Sequence, residues 1–311
     1  MCGGCGQSKQ FMCIYWFISC SLSLSSSFRL FHTFSKFDDI EVLFRDIPCP
    51  DVWKRWKEDE EFARQTLQGF DPCQIQQWTY NAANTIEQTE LHQKFPVTDE
   101  KLGWNAGKLN TLWSMNKLYY LDYLMLENMD CWDDLPPKKF HTKGKRPRFC
   151  GATIALFYVN DKGTLMPCAI QLSQDSTKSP IFSPLVDNEL DWLLAKMLVQ
   201  NSGANLHQMI SHAMKTHLIS EPFVIAAERN LAHCHPLYKI LKRHTRYTLA
   251  INTKARNGLI DAGGIFDEFI SCGGGGHIKL AVQEYKHWNL SLNHLKKDLL
   301  KRGVGNTTEL P

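Results

Sequence analysis

Three histidines at an unusual spacing constrain the fold of this chain more than any other feature. His207, His212 and His217 follow one another at intervals of five residues, in a segment whose apolar pattern predicts a helix. On an ideal α-helix five residues carry a side chain about 140° around the axis, so neighbouring imidazoles would point apart. A π turn, with hydrogen bonds from residue i to i+5, would instead align His212 with His217. We therefore predict a π turn here.

An aligned pair of histidines predicts a metal site, because widened turns of this kind occur disproportionately at functional sites. Glu221 lies four residues after His217 and could complete a two-histidine, one-carboxylate iron site. Alternatively, its carboxylate could orient a ligating histidine by hydrogen bonding to the far ring nitrogen. We favour the orienting role, since one short segment rarely supplies every ligand. Three unrelated histidines, each bonded to a neighbour, stay open as the alternative.

The composition is that of a globular protein. The chain has 311 residues, of which 43% are hydrophobic and 22% charged. A formal net charge of +3 creates no overall field toward nucleic acid, so we expect no nucleic-acid partner. The apolar segment 11–19 is much shorter than the roughly 20 residues that cross a bilayer. We expect residues 1–30 to form an unassigned hydrophobic and serine-rich extension.

Local patterns predict a mainly α fold. Helical spacing follows Pro50, and it returns at 188–205 with Leu190 and Leu194 on a broad apolar face. Residues 149–173 alternate apolar with polar or small residues on both sides of the turn sequence 160–163, as in a β-hairpin.

The segment from Asp191 to Phe269 resembles the catalytic domain of animal lipoxygenases. The resemblance rests on the motifs W-L-L-A-K, H-x-x-x-x-H-L-x-S-E-x-F, H-P-L-Y-K-x-L, H-T-R-Y-T-x-A-I-N and G-G-G-G-H, and it runs from about residue 35 to about residue 304. It implies a partial, mainly α catalytic domain with a small β-hairpin subdomain, which we place at residues 31–311 with its carboxy-terminal half absent.

The resemblance implies that His212 and His217 are two ligands of one non-haem iron per complete catalytic domain. The expected partners are a polyunsaturated fatty acid and O₂, which the family joins into a hydroperoxide. Residues matching the family's fatty-acid channel are all apolar, as such a channel requires. They are Leu218, Ile251, Ala255, Leu259, Ile265 and Phe266. Ordinary core packing is the alternative for these six.

Family members complete the iron site with ligands further downstream: a third histidine, often an asparagine, and a terminal isoleucine carboxylate. We therefore expect the chain as written, which ends at Pro311, neither to hold iron tightly nor to oxygenate lipid. One alternative is a non-catalytic remnant that binds lipid or protein. Another is a zinc protein that uses His212, His217 and cysteines. The expected location is the cytoplasm, with peripheral contact at a membrane.

Overall fold

The computed structural model describes residues 44, 48–129, 149–261, 264–266, 270–273 and 275–305. The predicted extension at residues 1–30 lies outside them, so its boundary stays a prediction. The chain divides into two compact units, 1–72 with 157–167 and 73–156 with 168–311. Helices predominate and accompany one small sheet, which confirms the predicted mainly α class.

The helices of the first unit are α1 (Val52–Arg55) and α2 (Asp59–Gln68). The second unit contains α3 (Glu90–Lys94), α4 (Lys108–Ser114), α5 (Glu189–Leu206), α6 (Ile219–Asn230), α7 (Pro236–His244), α8 (Thr248–Ala255), α9 (Gly276–His287) and α10 (Leu295–Lys301). A π-helix at His207–Leu218 joins α5 to α6, and a second π segment at Arg256–Ile260 extends α8.

The first unit contains an aromatic stack and a buried carboxylate. The rings of Phe62 and Phe157 stack with centroids 5.7 Å apart. Glu61 is only 3% exposed, and Arg64 pairs with it at 2.6 Å while Gln65 donates to it at 2.7 Å. Because a buried carboxylate is costly unless it is paired, these two donors allow Glu61 to sit on the inner face of α2.

The sheet has five strands in sequential order: β1 (Gln76–Gln77), β2 (Leu118–Asp122), β3 (Ile154–Val159), β4 (Leu165–Gln171) and β5 (Ile181–Phe182). The pairs β1–β2 and β4–β5 are antiparallel. In the turn between β3 and β4, Asn160 Oδ1 accepts from the backbone N–H groups of Lys162 and Thr164 at 3.0 and 2.9 Å. Gly163 follows with φ +78°, which glycine adopts without strain. The predicted hairpin is confirmed.

Helix α5 begins at a side-chain cap and buries a face different from the predicted one. Asn188 Oδ1 accepts from the N–H groups of Leu190 and Asp191 at 3.1 and 3.0 Å. Leu190 and Leu194, predicted on the apolar face, are 75% and 54% exposed. The buried face carries Trp192, Ala195, Lys196, Val199 and Ser202 instead. Helical periodicity identified the helix but not the side that has packing partners.

Ser202 ties α5 to the segment that enters β3. Its hydroxyl donates to the carbonyl of Gly151 at 2.7 Å and accepts from the Thr153 hydroxyl at 3.0 Å. Ser202 and Thr153 are both fully buried, so water cannot replace either bond.

The π-helix continues directly from α5 into α6, and it packs against α9 and α8. Its buried side carries Met209, Ile210, Ala213 and Met214. Lys215 on its outer side pairs with Glu284 of α9 at 2.9 Å. Within the described residues, none of the helices combines the length and apolar character that crossing a bilayer requires.

We expect Ser202→Ala to lower the free energy of unfolding by about 1–3 kcal/mol, because it removes the donor to a buried carbonyl and the acceptor of a buried hydroxyl. The matched control is Ser114→Ala, which removes an exposed hydroxyl bonded to Thr111 O at 2.8 Å and should change stability by less than about 0.5 kcal/mol. Guanidinium denaturation measures both. Equal effects would show that Ser202 contributes no more than a surface serine.

Cys168 should resist alkylation in the folded protein. Its thiol is buried and its Sγ lies 3.5 Å from the carbonyl of Leu156. Burial raises the pKa of this thiol well above its ordinary value, so the reactive thiolate is not formed near neutral pH. Exposed Cys234 provides the internal control. Mass spectrometry after native iodoacetamide treatment should find Cys234 modified and Cys168 intact, and both modified after unfolding. Native modification of Cys168 would contradict its burial.

Candidate metal centre

The predicted π turn is confirmed, and it extends over twelve residues, His207–Leu218. At its end the N–H of Ile219 bonds to the carbonyl of Met214, five residues earlier. Two backbone carbonyls of this stretch accept hydrogen bonds from side-chain hydroxyls. Thr216 donates to the carbonyl of His212, and Ser220 donates to the carbonyl of His217 at 3.1 Å. Such bonds from Ser and Thr are common where a helix departs from regular α geometry.

The π register brings the histidine rings together. His212 and His217 have ring centroids 5.0 Å apart with planes at 79°, so one ring presents its edge to the other. His207 stacks on His212, with ring centroids 5.8 Å apart and planes at 13°. The three imidazoles therefore form one row along the helix, with His212 in the middle.

Burial favours the neutral form of the His207 and His212 rings. It lowers the pKa of His207 to about 4, with a smaller contribution from His212. It also lowers the pKa of His212, and His217 adds to that effect. Within the described residues, His212 Nδ1 is buried and makes no hydrogen bond. Neutral imidazole is the form that binds a metal ion, so the environment suits a ligand at His212.

Asn252 of α8, and not Glu221, contacts a ring nitrogen of His217. Its Oδ1 lies 2.9 Å from His217 Nδ1. Its Nδ2 donates to the carbonyl of His217 at 2.9 Å and to Glu221 Oε2 at 2.7 Å. Glu221, which the sequence predicted as the direct partner of a histidine, therefore reaches the ring through Asn252.

The carboxylate of Glu221 is fixed from its other side by Arg256. The guanidinium donates to both carboxylate oxygens, at 2.8 and 2.7 Å. These hydrogen bonds hold the pKa of Glu221 below its ordinary value, against the opposing effect of partial burial. Sequence reasoning missed Asn252 and Arg256. For Asn252 two signals were available: it is a polar residue directly after the apolar Leu249–Ile251, and it ends the motif H-T-R-Y-T-x-A-I-N.

The six residues predicted to line a substrate channel all lie in the second unit. Leu218 ends the π-helix and is half-buried. Ile251, 47% exposed, and half-buried Ala255 lie on α8, which packs against the π-helix. Leu259 lies in the second π segment, and Ile265 and Phe266 follow it, all three half-buried. Their role in a channel stays a prediction.

His212 and His217 fit iron as part of a site. Imidazole nitrogen is a suitable donor for iron, and the two rings are adjacent. Within the residues that the structure describes, no group of three or more histidine, cysteine or carboxylate side chains could hold a metal ion. These residues therefore bring two imidazoles together, and they form no cysteine-completed zinc site.

The fold is mainly helical, and a π-helix brings two imidazoles side by side. The family model named Lipoxygenase matches residues 23–309, so the chain belongs to the lipoxygenase family, as its sequence predicted. The match begins inside the predicted extension at 1–30.

Comparison with individual proteins supports membership of this family. The chain is 35% identical over 306 residues to an allene oxide synthase-lipoxygenase protein of Plexaura homomalla, covering 94% of this chain and 28% of that one. It is 36% identical over 267 residues to a polyunsaturated fatty acid lipoxygenase of Homo sapiens, covering 84% and 36%. An anaerobic crystal structure of a LOX protein in complex with arachidonate matches with TM-score 0.77 and 33% identity, covering 98% of this chain and 44% of that one. The chain thus spans about a third of these two curated relatives.

We expect the untagged 311-residue chain to bind Ni²⁺, a probe that imidazole ligands accept, through His212 and His217. His212→Ala and His217→Ala should each weaken binding in isothermal titration calorimetry, because each removes one of two ligands. His287→Ala removes an exposed histidine at the end of α9 and should leave binding unchanged. Equal loss in all three variants would indicate scattered surface binding.

Proposed function

We propose that this chain provides two ligands, His212 and His217, to the non-haem iron of a lipoxygenase that converts polyunsaturated fatty acids and O₂ into hydroperoxides. The observation that carries the proposal is the edge-to-face pair of imidazoles, 5.0 Å apart on a π-helix. The names of the human relative and of the arachidonate-bound structure support the substrate class.

The chain's own residues prepare the site in two ways. The π register aims both imidazoles to one side, and burial keeps His212 neutral. Apolar Met209, Ile210 and Met214 cover the inner side of the π-helix and exclude water there. Bound iron would supply the one-electron chemistry that removes hydrogen from the CH₂ between two double bonds. The fatty-acid radical formed by that step must be kept from water.

We assign the fatty-acid chain to the side where α8 meets the π-helix. Leu218 and Ile251 would contact it there, together with Ala255, Leu259, Ile265 and Phe266. The support is chemical: each side chain is apolar, and half-buried or exposed residues are available to a ligand.

We further propose that the 311-residue polypeptide by itself binds iron weakly and turns over little substrate. Its described residues include no group of three or more histidine, cysteine or carboxylate side chains that could hold a metal ion, and metal affinity depends on the number and geometry of ligands. Cytoplasmic location and peripheral membrane contact stay predictions.

A second candidate function is non-catalytic binding of lipid or protein. Large apolar side chains are exposed on several helices of the second unit, and a contiguous apolar surface is typical of an interaction site. They include Leu190, Phe223, Ile240, Tyr247, Ile251 and Tyr285.

A chimera distinguishes these functions. The 311 residues replace the matching segment of the human relative, and iron per chain and conjugated-diene formation from arachidonate are measured. The proposal expects iron and turnover in the chimera, with both lost in His212→Ala and His217→Ala. The isolated chain should show little of either.

The control is the chimera carrying His287→Ala, which should match the unmodified chimera. A folded chimera that holds iron after both ligand substitutions would contradict the assignment of His212 and His217. One iron per chain together with full turnover in the isolated chain would contradict the proposal that this chain binds iron weakly and turns over little substrate. Tight arachidonate binding without iron or turnover in a folded chimera would favour the non-catalytic function.

A further inference from the structure

We infer that Asn252 is a positioning residue that fixes the tautomer of His217, and that Glu221 and Arg256 hold Asn252 in the orientation this requires. The effect is to place the proton of His217 on Nδ1 and to leave the lone pair of Nε2 available. The inference rests on the proposed function only in naming that nitrogen as the one offered to iron.

The orientation of the Asn252 amide follows from its neighbours. One end of the amide lies 2.9 Å from the carbonyl oxygen of His217 and 2.7 Å from Glu221 Oε2. Both atoms only accept hydrogen bonds while the carboxylate is ionised, so this end must be the NH₂ group, which has two protons to donate. The other end, facing His217 Nδ1 at 2.9 Å, is therefore the oxygen Oδ1.

The tautomer follows from the amide. Oδ1 carries no proton and can only accept, so the short contact requires a proton on His217 Nδ1. A neutral imidazole has a single N–H, and Nε2 is then left with its lone pair. Without Asn252, either nitrogen could carry the proton.

Arg256 and Glu221 prevent the amide from reversing. A reversed amide would place Oδ1 against both the carboxylate and the carbonyl. Arg256 holds the carboxylate with two hydrogen bonds, at 2.8 and 2.7 Å, so Glu221 cannot easily turn away. Asn252 is 1% exposed, so water is not at hand to take over its bonds.

The backbone carbonyl of His217 gives Asn252 a second bond to the same residue. It accepts from Asn252 Nδ2 at 2.9 Å and from Ser220 Oγ at 3.1 Å. The amide of Asn252 therefore bonds to both the ring and the backbone of His217.

A purely structural role would make Asn252 a link between α8 and α6 with no effect on the His217 proton. Long-range ¹H–¹⁵N spectra separate the two roles, because they report which ring nitrogen carries hydrogen. The experiment uses the metal-free 311-residue chain labelled with ¹⁵N-histidine, with His217→Gln to assign the signal. We expect the Nδ1–H form of His217 in the unsubstituted chain.

Asn252→Leu removes the amide at similar volume, and it should shift His217 toward the Nε2–H form or a mixture. It should also weaken Ni²⁺ binding by about 10–100-fold, the usual effect of losing a residue that orients a ligand. The control, Asn230→Leu, removes an exposed asparagine of α6 bonded to Ala226 O at 2.8 Å and should change neither readout.

Glu221→Gln tests the bond between Asn252 and Glu221. It also keeps the inference testable if Asn252→Leu does not fold. Losing the charged acceptor should weaken the hold on Asn252 and increase the Nε2–H form. Its control is Glu228→Gln on the same helix, which disrupts an exposed pair with Lys242 at 2.5 Å. Circular dichroism verifies that each variant is folded.

Three results would overturn the inference: an Nε2–H form in the unsubstituted chain, an unchanged tautomer in folded Asn252→Leu, or an unchanged tautomer in Glu221→Gln. Failure of the proposed function looks different. In that case the Nδ1–H form would be present and respond to both substitutions, while the chimera lacked iron or turnover.

Discussion

The hydrogen-bond register between His207 and Leu218 is the constraint on which the site depends. In this π-helix a spacing of five residues returns a side chain to the same face, whereas in an α-helix it would place His212 and His217 about 140° apart. The register needs support, because π geometry is rare in isolation. Buried Met209, Ile210 and Met214 anchor one side, and the Thr216 and Ser220 hydroxyls bond to carbonyls within it.

A second layer of support comes from α8. Asn252 bonds to the ring and to the backbone of His217, and Arg256 reaches the carboxylate of Glu221 on α6. The bonds cross from one helix to another at a separation of 35 residues in the chain. Ring orientation is therefore set by how α8 packs, as well as by the π-helix that carries the histidines.

The sequence predicted those features that local spacing determines. The five-residue interval predicted the π turn, the alternation around Asn160 predicted the hairpin, and the motifs predicted the family. Glu221 was predicted to orient a histidine, and in the structure its carboxylate bonds to Asn252, which contacts His217 Nδ1. The contact through Asn252 depends on packing between helices, which local periodicity does not encode. Leu190 and Leu194 show the same limit, because an apolar stripe reveals amphipathicity and not which side another element covers.

The twelve-residue π stretch also changes the rotational phase between the helices it joins. Each residue added to or removed from a helix turns everything beyond it by about 100°. Glu221 lies just past the stretch, and its alignment with Asn252 and Arg256 therefore depends on how many residues precede it as well as on which residues these are. A substitution within the stretch leaves that number unchanged, but a change of length by one would rotate α6 out of alignment with Asn252 and Arg256. Selection on this segment should accordingly resist insertions and deletions more strongly than substitutions.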